Sequence, residues 1–457
     1  MQASDLTTLD DRLRGHVVGP EHPDYDAARR VWNGMVDKRP AVVVRCVDPG
    51  DVTAAIAFAR EHELVVAVRG GGHSLGGFST CDDGLVIDLS TMRGVEVDPE
   101  QRIARVQGGS LLSQLDEAAQ EHGLVCPVGV VGHTGVGGLT LGGGMGRLQR
   151  HWGFSIDNML ALDVVTADGE LIRVSDDEHA DLFWGMRGAG PNFGVVTDFT
   201  FRLHELGTRI TQGYLAFPEH RAYEVAARMR EYAPAAPDEL MLTFAIGLEP
   251  ANPSLPSEIE GRPVVYTAMT HSGDLDDADE AIRPLRDLEP VVDTIERRHY
   301  LDVQTSVDED MAWGKRFYMK GGFLGPLTDD FVDAGIVSIA GAPSEGCGIT
   351  LWCHGGAIDR VPVDAMAFTG RDAEWWLGVE AEWDDAADDD AHVAWGRTTM
   401  EALQPFTTAG HYVNDMIETG DDVVRAIYGP AKYERLVGLK RTYDPDNVFR
   451  LNQNIKP

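Results

Sequence analysis

Three glycine-rich stretches constrain this chain more than any other feature: 69–77 (RGGGHSLGG), 129–146 (GVVGHTGVGGLTLGGGMG) and 187–196 (RGAGPNFGVV). Glycine lets the backbone approach a ligand closely, and it lets successive N–H groups converge on an anion with no side chain in the way. Loops of this kind cradle the pyrophosphate of a nucleotide. Single loops also serve as turns, but three of them in one chain exceed what glycine's average usage of about 7% explains. A Walker loop is excluded because no Gly-Lys-Ser/Thr follows any of them. A Rossmann fingerprint is absent too: GxGxxG does not follow a strand directly, and no acidic residue sits at ribose distance.

The segments around the loops read as mixed α and β structure. AVVVRC (41–46) and LVVAV (64–68) are short buried strands, and the helix between them starts at Asp48-Pro49. The aspartate caps that helix, and the proline gives up a donor the first turn does not use. GLVIDL (84–89), 103–106 and 162–166 are further strands; SLLSQLDEAAQEHG (110–123) is an amphipathic helix stopped by Gly123. From about 206 to 410 long strand-like segments (LMLTFAIGLE, PVVYTAMTH, GITLWCH, WWLGVEAEW) alternate with helical ones, which predicts an antiparallel sheet backed by helices with its open face over a ligand. The last stretch, VVRAIYGPAKYERLVGLKRTYDPDNVF, reads as an amphipathic, helix-pair-like segment ended by an Asp-Pro turn.

Charge narrows the partners. Seventy-four acidic residues against 39 Lys+Arg leave a formal net charge of −35, which repels nucleic acid and anionic membranes. The acids are spread along the chain, as on a solvated, salt-adapted surface, and suggest a halophile's protein. Cys46, Cys81, Cys126, Cys347 and Cys353 lack CxxC spacing, so neither a zinc site nor a disulfide framework is expected. No apolar run of about 18 residues is present, and MQASDLTTLD shows no signal-peptide pattern, so the expected location is cytoplasmic.

RGGGHSLGG, GLVIDLSTM, GLTLGGGMGRLQRHWGFSIDNMLALDVVTADGE, DLFWGMRGAGPNFGVVTDFTFRL and the ending YERLVGLKRTYDPDNVFRLNQNIKP together resemble the vanillyl-alcohol-oxidase superfamily with its PCMH-type FAD-binding domain. Within it the resemblance is to the berberine-bridge-enzyme-like branch that includes 6-hydroxy-D-nicotine oxidase. It is dense over 25–205 and 411–457 and weaker between. It implies an α+β fold: a two-subdomain FAD-binding domain (1–205), a substrate domain with an antiparallel sheet backed by helices (206–410), and a C-terminal segment (411–457) that returns to the FAD domain. It further implies that His73 is bonded to the 8α carbon of the isoalloxazine, which a neutral imidazole can attack. The position where bicovalent relatives carry a second, cysteinyl link is Val131 here, and Cys126 stands five residues earlier, so one linkage is expected. Carried over in the same way, Arg69, Gly70, Gly71, Gly72, Ser74 and Gly77 belong to the pyrophosphate loop. Thr134, Gly138, Gly142, Gly143, Asp157 and Asn158 border the other side of the dinucleotide. Gly194, Val195 and Val196 meet the adenine, and Tyr412 and Asn414 of the Tyr-x-Asn motif stand beside the flavin ring.

A bound flavin supplies redox chemistry while the protein supplies position and a base. The resemblance implies hydride transfer from a substrate C–H to flavin N5. Alternate residues of one strand face the same side, and the resemblance of TGRDAEWWLGVEAEW to the family's pocket strand, aligned on Trp383, implies that Trp376, Gly378 and Glu380 share the inward face, with Glu382 continuing it. Relatives often carry a charged or amide residue where Gly378 stands, which leaves Glu380 as the candidate base and Tyr412 as a second. Trp352, His354, Trp376 and Glu380 are the expected substrate pocket, with at most one of Trp352 and His354 facing the flavin. Asp415 stands where relatives commonly have an aromatic residue. The expected substrate is a sugar, another alcohol or a secondary amine, and the expected acceptor is dioxygen. A dehydrogenase with another acceptor and a flavoprotein that only binds its ligand remain the alternatives.

Overall fold

Short apolar runs punctuated by glycine and proline build three large sheets and one two-stranded ribbon, Leu124–Val125 with His204–Glu205, in the computed structural model, which describes residues 3–457. Met1 and Gln2 of the amino-terminal stretch MQASDLTTLD, where no targeting pattern is expected, lie outside the described residues.

In the first sheet, Val42–Arg45 and Val66–Arg69 both pair in parallel with Leu85–Asp88, and His16–Val18 runs antiparallel at the edge. The crossover helix Pro49–Glu61 starts as its cap demands: Asp48 accepts from the N–H of Asp51 at 3.2 Å. Its Val52, Ala55, Ile56 and Ala59 pack with Val42, Val44 and Ile87 of the sheet. The first glycine loop therefore leaves the carboxyl end of a parallel strand, the place where open α/β sheets bind ligands.

The second sheet is antiparallel, in the order Val95–Asp98, Ile103–Gln107, Gly194–Arg202, Met159–Thr166, Leu171–Ser175. Helix Leu112–Gln120 buries Leu112, Leu115 and Ala119 in its core, and Gly123 beyond it takes φ +68°, where a side chain would be strained. The C-terminal segment packs here as well. It runs over Asp421–Tyr443 and breaks at Gly429 (φ +70°), so Pro430 opens a second helix instead of interrupting the first.

The third sheet has eight strands, in the order Val292–Asp293, Arg209–Pro218, Pro263–His271, Leu240–Leu248, Cys347–Cys353, Trp375–Trp383 and Arg316–Leu324, with Glu296–His299 also on Arg209–Pro218. Helices Ala222–Tyr232, Ala278–Arg286, Asp329–Ala340 and Asp389–Leu403 contribute to the core on one face. The two-residue period sets what the other face shows. Trp375, Leu377, Val379 and Ala381 enter that helix-backed core, which leaves Trp376, Gly378 and Glu380 on the opposite side. Cys347, Ile349, Leu351 and Cys353 do the same for their strand and leave Trp352 facing out. Among the described residues no helix is long and apolar enough to cross a membrane, and all five cysteines are free and buried.

Candidate active site

Between the glycine loops and the open face of the large sheet lies a cavity of about 380 Å³, within the range of cofactor and ligand sites. Gly70, Gly71, Gly72, His73 and Ser74 line one part of it, with Val131, Thr134 and Gly138 of the second loop. The two loops meet backbone to backbone: a Cβ on Gly71 would lie 2.2 Å from the nitrogen of Gly135, so only glycine fits there. The N–H groups of residues 70 to 74 donate no hydrogen bond to any described residue. Five consecutive unsatisfied donors on a cavity wall are an anion-binding arrangement, because buried backbone donors are otherwise nearly always paired. The loops thus fit the pyrophosphate of FAD.

His73 occupies the end of this wall. Trp32 stacks on its ring with centroids 4.9 Å apart, and Trp313 meets it edge-on. Its Nε2 lies 2.7 Å from Nδ1 of His133, and its Nδ1 lies 3.4 Å from Oγ1 of Thr134. Burial, helped by the neighbouring His133, pushes the imidazole down to about 3, so it is neutral across the physiological range. Cys126 is fully buried and does not line the cavity, and burial raises its thiol well above the usual range. Val131 does line it.

The sheet contributes Trp352, Trp376 and Glu380, and the segment after it contributes Tyr412, Asn414 and Asp415. The Glu380 carboxyl makes no hydrogen bond to any described residue, and burial first, then the nearby Glu382, raises it to about 7. Asp415 accepts from Nε1 of Trp376 at 2.6 Å. Burial, reinforced by Glu380 and opposed by that indole N–H, holds Asp415 well above the usual carboxylate range. The fit depends on two glycines: a Cβ on Gly321 would lie 2.6 Å from Oδ2 of Asp415, and one on Gly378 would lie 2.6 Å from the Trp376 ring. The Tyr412 hydroxyl accepts from the N–H groups of Gly144 (3.1 Å) and Met145 (3.4 Å) and from Nδ2 of Asn414 (2.8 Å), and burial pushes it up to about 12. That oxygen is occupied and protonated, which suits holding the loop more than taking a proton. No Lys or Arg lines the cavity among the described residues.

Several expected residues stand elsewhere. His354 is buried off the cavity, among Phe154, Phe323 and Arg371, because the strand ends at Cys353 and its alternation ends with it. Asp157 is bound by the buried Arg371 at 2.5 Å, and Asn158 donates to Trp152 and Phe154 main-chain oxygens, so neither is free for a dinucleotide. Gly194, Val195 and Val196 lie within a strand, and residues 189–192 line the cavity in their place. Gly142 and Gly143 sit behind Asn414 and Tyr412, giving them room. Gly77 packs on Val36, Arg69 turns away to the main-chain oxygen of Ala28, and Glu382 pairs with Lys315 at 2.9 Å. Sequence reasoning missed Trp32, Asn192, Met319 and the tail residues Phe449 and Leu451–Gln453 of the wall. It also missed His133, although that histidine stands two residues after Val131 in the second glycine loop.

A family model described as FAD binding domain matches residues 40–175, and one described as berberine and berberine like matches residues 411–456. The chain is 32% identical to (R)-6-hydroxynicotine oxidase of Paenarthrobacter nicotinovorans, with 97% of each covered. It is 33% identical to an FAD-linked oxidoreductase of Dictyostelium discoideum, over 93% of this chain and 91% of that one. The crystal structure of 6-hydroxy-D-nicotine oxidase from Arthrobacter nicotinovorans has a TM-score of 0.88 at 30% identity, with both chains covered in full.

Proposed function

This chain belongs to the berberine and berberine-like family of FAD-linked oxidoreductases, and from that premise we propose that it oxidises a small substrate bearing an O–H or N–H on the reacting carbon, holds FAD by one bond to His73, and returns the electrons to dioxygen. The observation that carries the reading is that one cavity joins the unsatisfied N–H groups of residues 70–74 and neutral His73 to an unpartnered carboxyl, Glu380. Bound there, FAD supplies the two-electron acceptor for a hydride leaving the substrate carbon. Glu380 takes the proton from the substrate O–H or N–H, since its carboxyl is unpartnered and stands near 7, whereas Asp415 is already engaged by the Trp376 indole. Asp415, which burial shifts toward its protonated form, can donate a hydrogen bond toward the substrate while its other oxygen fixes Trp376. Tyr412 anchors the backbone at 144–145, and Asn414 ties Tyr412 to the main-chain oxygen of Leu139. With aromatic walls, two carboxyls and, among the described residues, no cation, the site favours a sugar, alcohol or secondary amine over an acid.

Absorbance and mass of the denatured protein test the attachment. One FAD should remain on the chain, and His73→Ala should release it to the acid supernatant. FAD that comes free of the wild-type chain would overturn the covalent reading. Anaerobic mixing with sugars, alcohols and secondary amines should bleach the flavin, and admitting air should restore the colour within seconds. Recovery over many minutes would reassign the enzyme as a dehydrogenase.

A further inference from the structure

The contacts of His73 define which of its nitrogens is free. His133 lies 2.7 Å from its Nε2 through Nδ1, while the Nε2 of His133 lies 3.5 Å from the main-chain oxygen of Asp308. A carbonyl oxygen only accepts, so the proton of His133 belongs on Nε2 and the lone pair on Nδ1. The 2.7 Å contact then requires the proton of His73 on Nε2. His73 Nδ1 is left with the lone pair, next to Thr134, which lines the cavity where His133 does not. The opposite arrangement would set a bare His133 nitrogen against a carbonyl oxygen, two acceptors with no proton between them.

We propose that His133 is the positioning residue and proton acceptor for flavin attachment: it fixes the tautomer of His73, so that Nδ1 bonds the flavin 8α carbon, and it takes the Nε2 proton as that bond forms. The proposal rests on the covalent reading of His73. One C–H bond of the 8α methyl group and the N–H bond of His73 break, and one Nδ1–C bond forms. The methyl proton leaves to water, the imidazole proton leaves through His133, and two electrons pass to dioxygen, which with two protons becomes hydrogen peroxide. The surroundings suit this role. His133 is partly exposed and can pass a proton to solvent. Its loop is pinned because the Gly132 N–H donates to Oδ1 of Asp308 at 2.7 Å, and the stacked Trp32 holds the His73 ring plane.

The test uses full-length protein supplied with FAD in air, with the covalent fraction followed over time by mass after denaturation. His133→Ala should bind FAD yet attach it roughly a hundredfold more slowly, and added imidazole should restore the rate. His133→Asn, which keeps an acceptor but no base, should stay slow. A proteolytic digest of the wild-type protein, read by NMR, should show flavin on Nδ1, and this needs no variant to fold. Attachment at the wild-type rate in His133→Ala and His133→Asn, or flavin on Nε2, would overturn the role of His133 while leaving covalent attachment intact. A wild-type chain that releases all of its FAD would overturn both.

Discussion

Glu380 and His354 show how far individual residues can be read from sequence. Glu380 was legible because it lies inside a regular strand, where the two-residue period sends Trp376, Gly378 and Glu380 to one face. His354 was not, because it lies one residue past the end of its strand, where that period no longer applies. Asp157 was misplaced for another reason: its partner, Arg371, is over 200 residues away and nothing local announces it. For Glu380 the prediction follows from its carboxyl standing near 7. Below that pH the group is protonated and cannot accept, so flavin reduction by a non-ionising alcohol should rise with pH and level off above about 7. Glu380→Gln should lower that rate roughly a hundredfold and erase the inflection in stopped-flow bleaching. An unchanged rate would remove Glu380 from the chemistry. Stability should move the other way. The native state keeps a proton that the unfolded chain gives up between about 4.5 and 7, so this group lowers stability as pH rises through that window. The melting temperature of Glu380→Gln relative to wild type should therefore increase from pH 5 to pH 8 (about the span of that titration).

At the scale of elements, the glycine loops and the capped helix after Asp48 were legible because glycine, proline and capping residues act locally. What holds the third loop was not. Lys440, fully buried on the C-terminal helix, donates to the main-chain oxygen of Asn192 (2.7 Å), to Oδ2 of Asp444 (2.7 Å) and to the main-chain oxygen of Phe449 (2.8 Å). Asp444, itself fully buried, accepts from the N–H groups of Val448 and Phe449. Asn192 and Phe449 both line the cavity, so one ammonium ties the loop, the helix end and the tail into a single wall. This gives the C-terminal segment a physical task beyond its likeness to a family ending. Lys440→Met should strand a buried carboxylate and cost about 3–5 kcal/mol, read as a lower denaturation midpoint. Because the change reaches the wall, FAD should also protect the variant less against unfolding than it protects wild type. Equal protection would show that the clamp serves the fold alone.

At the scale of the whole molecule, alternating texture marked strands of the large sheet, but not their order. Cys347–Cys353 joins Leu240–Leu248 across about a hundred residues, and such pairing is set by complementary faces, not local pattern. Charge, by contrast, is a property of the entire chain. Thirty-nine basic residues cannot neutralise 74 acidic ones, and most of the ion pairs are partly exposed at one end or both, where each contributes about 0–1 kcal/mol. The excess of 35 negative charges repels itself in the compact state more than in the expanded one. Salt weakens both effects, since the screening length falls from about 30 Å at 0.01 M to about 3 Å at 1 M. The repulsion is the larger and longer-ranged term, so screening should favour the native state on balance. The melting temperature should therefore rise steadily with potassium chloride, and activity should survive high salt. An uncharged osmolyte at equal osmolality separates screening from water exclusion and should raise the temperature less. A melting temperature that stays flat or falls with salt would mean that the exposed pairs outweigh the repulsion, and the acidic surface would then not be a salt adaptation.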